Sequence, residues 1–212
     1  YVFGGGSNLL VSDDGYEGVM IQMADRKIKI DGETITVDAG AITSLVARQS
    51  VEAGLTGFEW AVGVPGTIGG ALFGDAGCYG GEMRDVIVSV DAFRVRDGER
   101  VTLTKEECGF GYRTSMFKHE PHLILSCVLR LTKSPDMAAS KQKMEDIMAQ
   151  RKEKQPLASS SAGCIFKNFE FTDEKELEIL KHHVEVPQTM IDKGQIPVGW
   201  LIDQAGLKGK VL

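Results

Sequence analysis

The sequence predicts an α+β fold, and three observations predict it. Two apolar alternations, broken by Asp31-Gly32 and Asp97-Gly98, have the period of two of half-buried strands joined as hairpins. Between and after them lie stretches with helical periodicity and helix start and stop residues. The glycine-rich stretch Gly4-Gly5-Gly6-Ser7-Asn8-Leu9-Leu10 is not followed by a helix and a βαβ period, which argues against a Rossmann unit.

Each element has its own warrant. The chain opens in a short strand that runs into this first glycine loop. Lys27 to Ala39 sets Ile28 and Ile30 against Ile35 and Val37 across Asp31-Gly32, a hairpin with one buried face. Thr43 to Ala53 reads as a helix, with Thr43 as N-cap and Gly54 as the stop. Gly57 to Gly81 holds a second glycine-rich stretch, Gly63-Val64-Pro65-Gly66-Thr67-Ile68-Gly69-Gly70-Ala71. Val86 to Arg96 and Arg100 to Leu103 form the second hairpin, and Leu123 to Leu131 a further strand. Ser134, as N-cap, and Pro135, at the first helical position, open a helix that runs to Lys154. Ala158 to Ala162 reads as a loop and Gly163 to Phe166 as a strand. Thr172, Glu174 and Lys175 open a charged helix towards Lys181. Pro197 to Gly206 forms another, with Val198, Leu201, Ile202 and Ala205 on one face. There is no internal repeat and no low-complexity segment.

Composition narrows the class. Hydrophobic residues make up 42% and charged residues 25%, the balance of a soluble chain with a buried core. A net charge of -6 argues against nucleic-acid binding, which needs a basic face. No apolar run approaches the roughly 18 residues of a membrane span, and no signal peptide opens the chain. Cys78, Cys108, Cys127 and Cys164 include no Cys-x-x-Cys pair and read as reduced cytosolic thiols, with no metal site and no disulfide framework. A cytoplasmic monomer without membrane or nucleic-acid partners is expected. The chain begins inside a strand and stops soon after Gly206-Leu207-Lys208-Gly209, so both ends read as truncations.

The two glycine loops carry the chemistry. Glycine lets backbone approach a ligand closely, and successive N–H groups can converge on an anion such as a pyrophosphate. Two such loops suggest a dinucleotide held between two lobes; ordinary tight turns are the bland alternative for either loop alone.

Five blocks then occur in one order: GGGSNLL at 4–10, GVPGTIGGALFGDAGCYGGE at 63–82, GYRTSMF at 111–117, KQPLASSSAGCIFKN at 154–168 and GWLIDQAGLKG at 199–209. This series resembles the bacterial UDP-N-acetylenolpyruvoylglucosamine reductases, the MurB family of peptidoglycan precursor synthesis, over nearly the whole chain. The resemblance implies a flavin-binding fold of the vanillyl-alcohol-oxidase (PCMH) type with a C-terminal MurB-type substrate-binding subdomain. It divides the chain into residues 1–20 as the remnant of a first FAD-binding subdomain, 21–154 as the second, and 155–212 as part of the substrate subdomain. It implies a two-step reaction in which NADPH reduces FAD, and hydride then passes to the enolpyruvyl double bond of a UDP-sugar to give UDP-N-acetylmuramate.

By the same resemblance, Gly4, Gly5, Gly6, Ser7, Asn8 and Leu9 form the first flavin-phosphate loop, and Pro65, Gly66, Thr67, Gly69, Gly70, Ala71 and Gly77 the second. The flavin is expected to be noncovalent, since no His lies in either loop and Cys78 is the one loose candidate for attachment. The family often has Asn where this chain has Asp75. A carboxylate beside a pyrophosphate would be repelled, so its side chain is expected to point elsewhere. Arg113, next to Tyr112, matches the arginine that faces the substrate carboxylate; a planar guanidinium suits that group. Lys154, Gly163 and Asn168 match substrate-holding positions. Cys164 stands where most members have Ser as proton donor to the substrate's α-carbon; a thiol is the more acidic donor. For an isolated Arg, Lys or Cys the bland readings are a surface ion pair, a solvated helix end and a small buried hydrophobe.

Three departures stand out. The segment that holds the family's further catalytic Glu is absent after Leu212, Phe169 replaces a common Pro, and the span from Asn168 to Gly199 reads as a long surface insertion. The short span from Arg113 to Lys154 matches the subgroup without the extra tyrosine-bearing substrate loop. A different FAD-dependent oxidoreductase of the same fold should lack Tyr112-Arg113 together with Gly163-Cys164. An inactive nucleotide-binding fragment would keep the loops without turnover.

Overall fold

The computed structural model describes residues 1–154, 165–171 and 173–210. The chain divides into two compact units, residues 1–156 and 157–212.

The first unit opens with β1 (Val2–Phe3), parallel to β2 (Ile21–Gln22). Next come β3 (Ile28–Asp31) and β4 (Thr34–Asp38), paired as predicted, with Ile30 opposite Ile35 and Gly32 at φ +59 in the turn. Alternation decides the faces: Ile35 and Val37 are fully buried while Thr36 between them is exposed. Helix α1 (Thr43–Glu52) follows, then β5 (Leu55–Thr56), a 3₁₀ turn (Glu59–Gly63) and α2 (Ile68–Phe73). A tight hairpin, β6 (Gly77–Cys78) and β7 (Gly81–Glu82), leads through the short α3 (Met83–Val86) into the long strands β8 (Ile87–Arg94) and β9 (Glu99–Thr104). Strand β10 (His122–Arg130) lies centrally, β11 (Thr132–Lys133) pairs with β5, and α4 (Met137–Lys154) ends the unit. The main sheet has the order β3-β4-β10-β8-β9, antiparallel throughout. Its core draws Val37, Val90 and Leu129 from the sheet, Val46 from α1 and Ile68 and Leu72 from α2.

Two predicted caps are corrected. The N-cap of α1 is Ile42, and Thr43 is buried inside the first turn, where its hydroxyl has no partner among the described residues. In α4 it is Asp136, not Ser134, that caps: its Oδ1 accepts from the Ala138 and Ala139 N–H groups at 2.9 and 3.1 Å. Ser134 Oγ instead meets Ser140 Oγ at 2.9 Å.

The second unit contains β12 (Phe169–Glu170), α5 (Glu174–Lys181), α6 (Gln188–Asp192), β13 (Gln195–Ile196) and α7 (Val198–Gln204). Strands β12 and β13 pair antiparallel, and Asp173 caps α5. Leu177, Val186 and Ile196 are buried together, with Phe169, Leu180, Trp200 and Leu201 packed against them. The predicted surface insertion is therefore overturned: residues between Asn168 and Gly199 carry the core of this unit. Half of the predicted strand at Gly163–Phe166 falls outside the described residues; Ile165 and Phe166, which are described, are not in a strand.

Candidate functional site

The two glycine loops, distant in sequence, meet in the first unit. A Cβ on Gly4 would stand 2.0 Å from Thr67 Oγ1, and one on Gly5 would stand 3.4 Å from Gly66 Cα. Ser7 Oγ lies 3.4 Å from where a Cβ on Gly66 would be. Gly6 and Gly66 have φ of +71 and +92, the left-handed region where glycine carries no steric penalty. These glycines therefore do different work. Gly4 and Gly5 permit contact between loops, whereas Gly6 has nothing within 4 Å of its Cβ position and leaves its backbone open to an approaching group. Ser7, Asn8 and Leu9 are exposed beside it. Gln22, which the sequence reading missed, donates from Nε2 to the Gly4 carbonyl at 3.2 Å.

The second loop is built into the core. Ile68 and Gly69 donate to the carbonyls of Ala41 and Ala39 at 2.9 and 2.8 Å, and Thr43 donates to Gly66 at 3.1 Å. A Cβ on Gly69 would lie 2.9 Å from Ala39 Cβ and 3.2 Å from its carbonyl oxygen. Gly69 thus has no room for a side chain on the side of Ala39. Ala71 is likewise buried, with Pro65 and Gly70 exposed. Thr67 is 7% exposed and its hydroxyl has no hydrogen-bond partner among the described residues, although it points between Gly4 and Gly70. An orphaned buried hydroxyl, open left-handed backbone and short side chains fit a phosphate-bearing cofactor.

Downstream of α2 the backbone turns sharply. Asp75 and Tyr79 have φ of +41 and +51, and Arg113 has +56: the non-glycine residues in this region among those described. Such strain persists where surrounding structure enforces it, often at functional sites. Tyr112 and Arg113 occupy a turn closed by reciprocal hydrogen bonds between Gly111 and Thr114, at 3.1 and 3.0 Å. The turn is tied to the end of α2: Ser115 Oγ donates to the Phe73 carbonyl at 2.8 Å, and Lys118 Nζ donates to the Arg113 carbonyl at 2.6 Å. The Arg113 guanidinium donates to the carbonyls of Asp75 (3.4 Å) and Gly77 (3.0 Å), and lies 5.2 Å from the centre of the Tyr112 ring. Gly77 itself is packed, since a Cβ there would meet Glu82 at 2.5 Å.

As expected, the Asp75 carboxylate points away from the loops. It is fully buried; Oδ1 accepts the Arg84 N–H at 3.0 Å and Oδ2 lies 3.4 Å from Arg84 Nε. Burial pushes this carboxyl above its ordinary value, Glu82 and Asp85 add to that, and Arg84 pulls the other way. Cys78, the loose candidate for covalent flavin attachment, donates its S–H to the Trp60 carbonyl at 3.3 Å. Burial pushes its thiol up against the pull of Arg151 and Arg113, which disfavours the reactive thiolate. Glu59, also fully buried, accepts from Thr56 and from the Gly57 N–H, with Lys143 Nζ at 3.7 Å. Burial pushes it up, but these partners prevail and hold it below its ordinary value.

In the second unit Asn168 donates to Gln195 Oε1 at 3.1 Å, across the start of β12 and β13. Lys154 ends α4. Gly163 and Cys164 lie outside the described residues. Among the described residues no group of His, Cys, Asp and Glu could hold a metal, and no helix is long and apolar enough to cross a membrane.

Comparison with known proteins gives a consistent result. A family model described as an FAD binding domain matches residues 1–104. The UDP-N-acetylenolpyruvoylglucosamine reductase of Clostridium botulinum (strain Eklund 17B / Type B) is 38% identical over 168 residues, 79% of this chain and 55% of that protein. The protein of the same name from Solibacter usitatus is 35% identical over 212 residues, 98% of this chain and 65% of that protein. The crystal structure of UDP-N-acetylenolpyruvylglucosamine reductase (MurB) from Thermus caldophilus superposes with a TM-score of 0.74 at 31% identity, covering 99% of this chain and 67% of that one. The chain thus spans roughly half to two-thirds of the length of these relatives.

Proposed function

Because the chain belongs to the UDP-N-acetylenolpyruvoylglucosamine reductase (MurB) family, with its FAD-binding fold of the PCMH type, we propose that it serves the reduction of the enolpyruvyl group of UDP-N-acetyl-3-O-(1-carboxyvinyl)-glucosamine to UDP-N-acetylmuramate. The hydride donor is NADPH, the flavin is held noncovalently, and the protein acts as a cytoplasmic monomer. Residues 1–20 and 21–154 belong to the two FAD-binding subdomains and 155–212 to the substrate subdomain. The observation that carries this reading is the meeting of the two glycine loops at the start of α2, together with Arg113 tied to the turn that follows it.

When bound, FAD supplies a two-electron carrier between NADPH and the enolpyruvyl double bond. The chain's own residues do the rest. Backbone around Gly6 and Gly66, the Thr67 hydroxyl and the side chains of Ser7 and Asn8 hold phosphate oxygens. Arg113 pairs with the substrate carboxylate; hydride arriving at the β-carbon drives negative charge towards that carboxylate, so a fixed cation favours the transition state over the ground state. Tyr112 braces the guanidinium from its ring face. Cys164 gives its Sγ proton to the α-carbon, which completes addition of hydride and proton across the double bond. Lys154, Gly163 and Asn168 hold the diphosphate and nearby polar groups.

Anaerobic stopped-flow measurement of the two half-reactions tests this. NADPH should bleach the flavin, and the enolpyruvyl UDP-sugar should restore its colour. Cys164→Ala should spare the first step and slow the second by roughly 10²-fold, the usual worth of a general acid. Reoxidation by substrate at the unaltered rate in that variant would remove Cys164 as donor. No reoxidation in the unaltered protein would remove the proposed substrate.

A further inference from the structure

We propose that Arg84 is a positioning residue for the substrate carboxylate: it sequesters the Asp75 carboxylate so that Arg113 keeps an uncompensated positive charge. This rests on the reading of Arg113 as the carboxylate-binding group. Asp75 is one of the two residues whose carbonyl oxygens meet the Arg113 guanidinium, at 3.4 Å beside Gly77 at 3.0 Å. The carboxylate of the same residue is joined to that carbonyl through Cα and Cβ alone, so its charge stands close to the cation unless another group compensates it. The structure holds it elsewhere. The Asp75 side chain is fully buried, anchored by the Arg84 N–H at 3.0 Å and flanked by the Arg84 guanidinium at 3.4 Å. At Asp75, whose φ is +41, the carbonyl meets Arg113 while the carboxylate meets Arg84. Arg84 is fixed in turn by Glu82, and the Glu82–Asp85 capping box fixes the first turn of α3 that presents Arg84. The result is a division of partners. Arg84 takes the carboxylates of Asp75 and Glu82, while Arg113 is met by neutral carbonyls and an aromatic ring, and among the described residues no carboxylate stands within ion-pair distance of it. Neutral acceptors orient a guanidinium without cancelling its charge, which an arriving carboxylate can then use.

Two ligands, of which only the first carries a carboxylate, test this: the enolpyruvyl UDP-sugar and UDP-N-acetylglucosamine, which has a hydroxyl in place of the carboxyvinyl ether. Their affinities for the FAD-loaded protein are measured by isothermal titration calorimetry. Arg84→Met keeps the backbone N–H to Asp75 and removes the guanidinium that pairs with Asp75 and Glu82. It should weaken the enolpyruvyl ligand by about tenfold and leave UDP-N-acetylglucosamine within about twofold, the pattern of a charge brought against one ligand group. The double variant Asp75→Asn with Arg84→Met has no Asp75 carboxylate to release, and the freed Glu82 is common to both variants, so it should recover the preference for the enolpyruvyl ligand that the single variant loses through Asp75. A merely structural role for Arg84 predicts the opposite, a double variant at least as impaired as the single one. Asp75→Asn alone should retain the preference, and it carries the test where Arg84→Met does not fold. Unaltered discrimination in a folded Arg84→Met, or lost discrimination in Asp75→Asn, overturns the proposal while the function stands. Absence of any preference in the unaltered protein overturns the reading of Arg113 and the proposal with it.

Discussion

The first glycine loop and the second use the same residue type under opposite conditions. The first, at 4–10, is exposed from Gly5 onward; Leu10 is fully exposed, and a side chain on β2 and the Thr67 contact support the loop from outside. The second, at 63–71, is bonded to the backbone of Ala39, Ala41 and Thr43, and the side chains of its Ile68 and of the adjoining Leu72 are fully buried. Gly69 in the second loop is therefore packed against the core, whereas Gly66 beside it meets only Ser7. In the first loop Gly6 is an opening, while Gly4 and Gly5 make room for the second loop. The lesson is that a glycine-rich motif does not report one function: the neighbours of the missing Cβ decide it.

Substitutions can break this distinction, and the largest effect is expected at Gly69. Valine there drives two methyl groups at Ala39, and such overpacking costs about 3 kcal/mol, which lowers Tm by roughly 6–12 °C in a domain of this size. Thermal melting without flavin checks it; an unchanged Tm would show that Gly69 faces a ligand after all. Gly66→Val comes next. Its φ of +92 costs a branched residue on the order of 1–3 kcal/mol, but its Cβ position meets only Ser7 side-chain atoms, so flavin content should fall further than stability. Absorbance at the flavin band against Tm separates the two effects, and full flavin occupancy would remove Gly66 from the cradle. Gly4→Ala is smaller again. Its methyl meets the Thr67 hydroxyl, so pairing it with Thr67→Ala should recover part of the loss, a coupling of at least about 0.5 kcal/mol in a double-mutant cycle. Strict additivity would mean that the loops do not touch.

The smallest effect separates the two buried carboxylates that flank the second loop. Glu59 is held below its ordinary value of 4.5, so it stabilises the fold above that value, and this contribution is lost as pH falls through the folded-state value. Asp75 is raised above its ordinary value of 3.8; the stability linked to its titration is present below 3.8 and is lost as pH rises through the folded-state value. Glu59→Gln should therefore flatten the acid limb of a Tm–pH profile, whereas Asp75→Asn should steepen it. The same change in both variants would contradict the assigned directions.

Much of this was legible in the sequence, for reasons that vary by element. The two hairpins were readable because period-two alternation and an Asp-Gly turn depend on near neighbours alone. The caps were misread because Ser134 and Thr43 are good cap residues by type, while tertiary packing buries Thr43 and Asp136 competes two places on. Helix α2 was read as loop because two glycines in six residues oppose helix propensity; the burial of Ile68 and Leu72 overrides it. The glycine blocks and Tyr112-Arg113 stood out by type and order. The Arg84–Asp75 pair did not, since nothing local shows that a carboxylate inside a glycine-rich stretch is buried against an arginine on the next helix.

Amide hydrogen exchange, with and without FAD, tests the difference between the loops most directly. The account predicts that Ile68 and Gly69 amides are protected in both states, because the core already holds them. Amides from Gly5 to Asn8 should exchange freely without FAD and become protected when it is added. Equal protection of both loops before FAD, or no gain in the first loop after it, would contradict a cradle built half from the core and half around the cofactor.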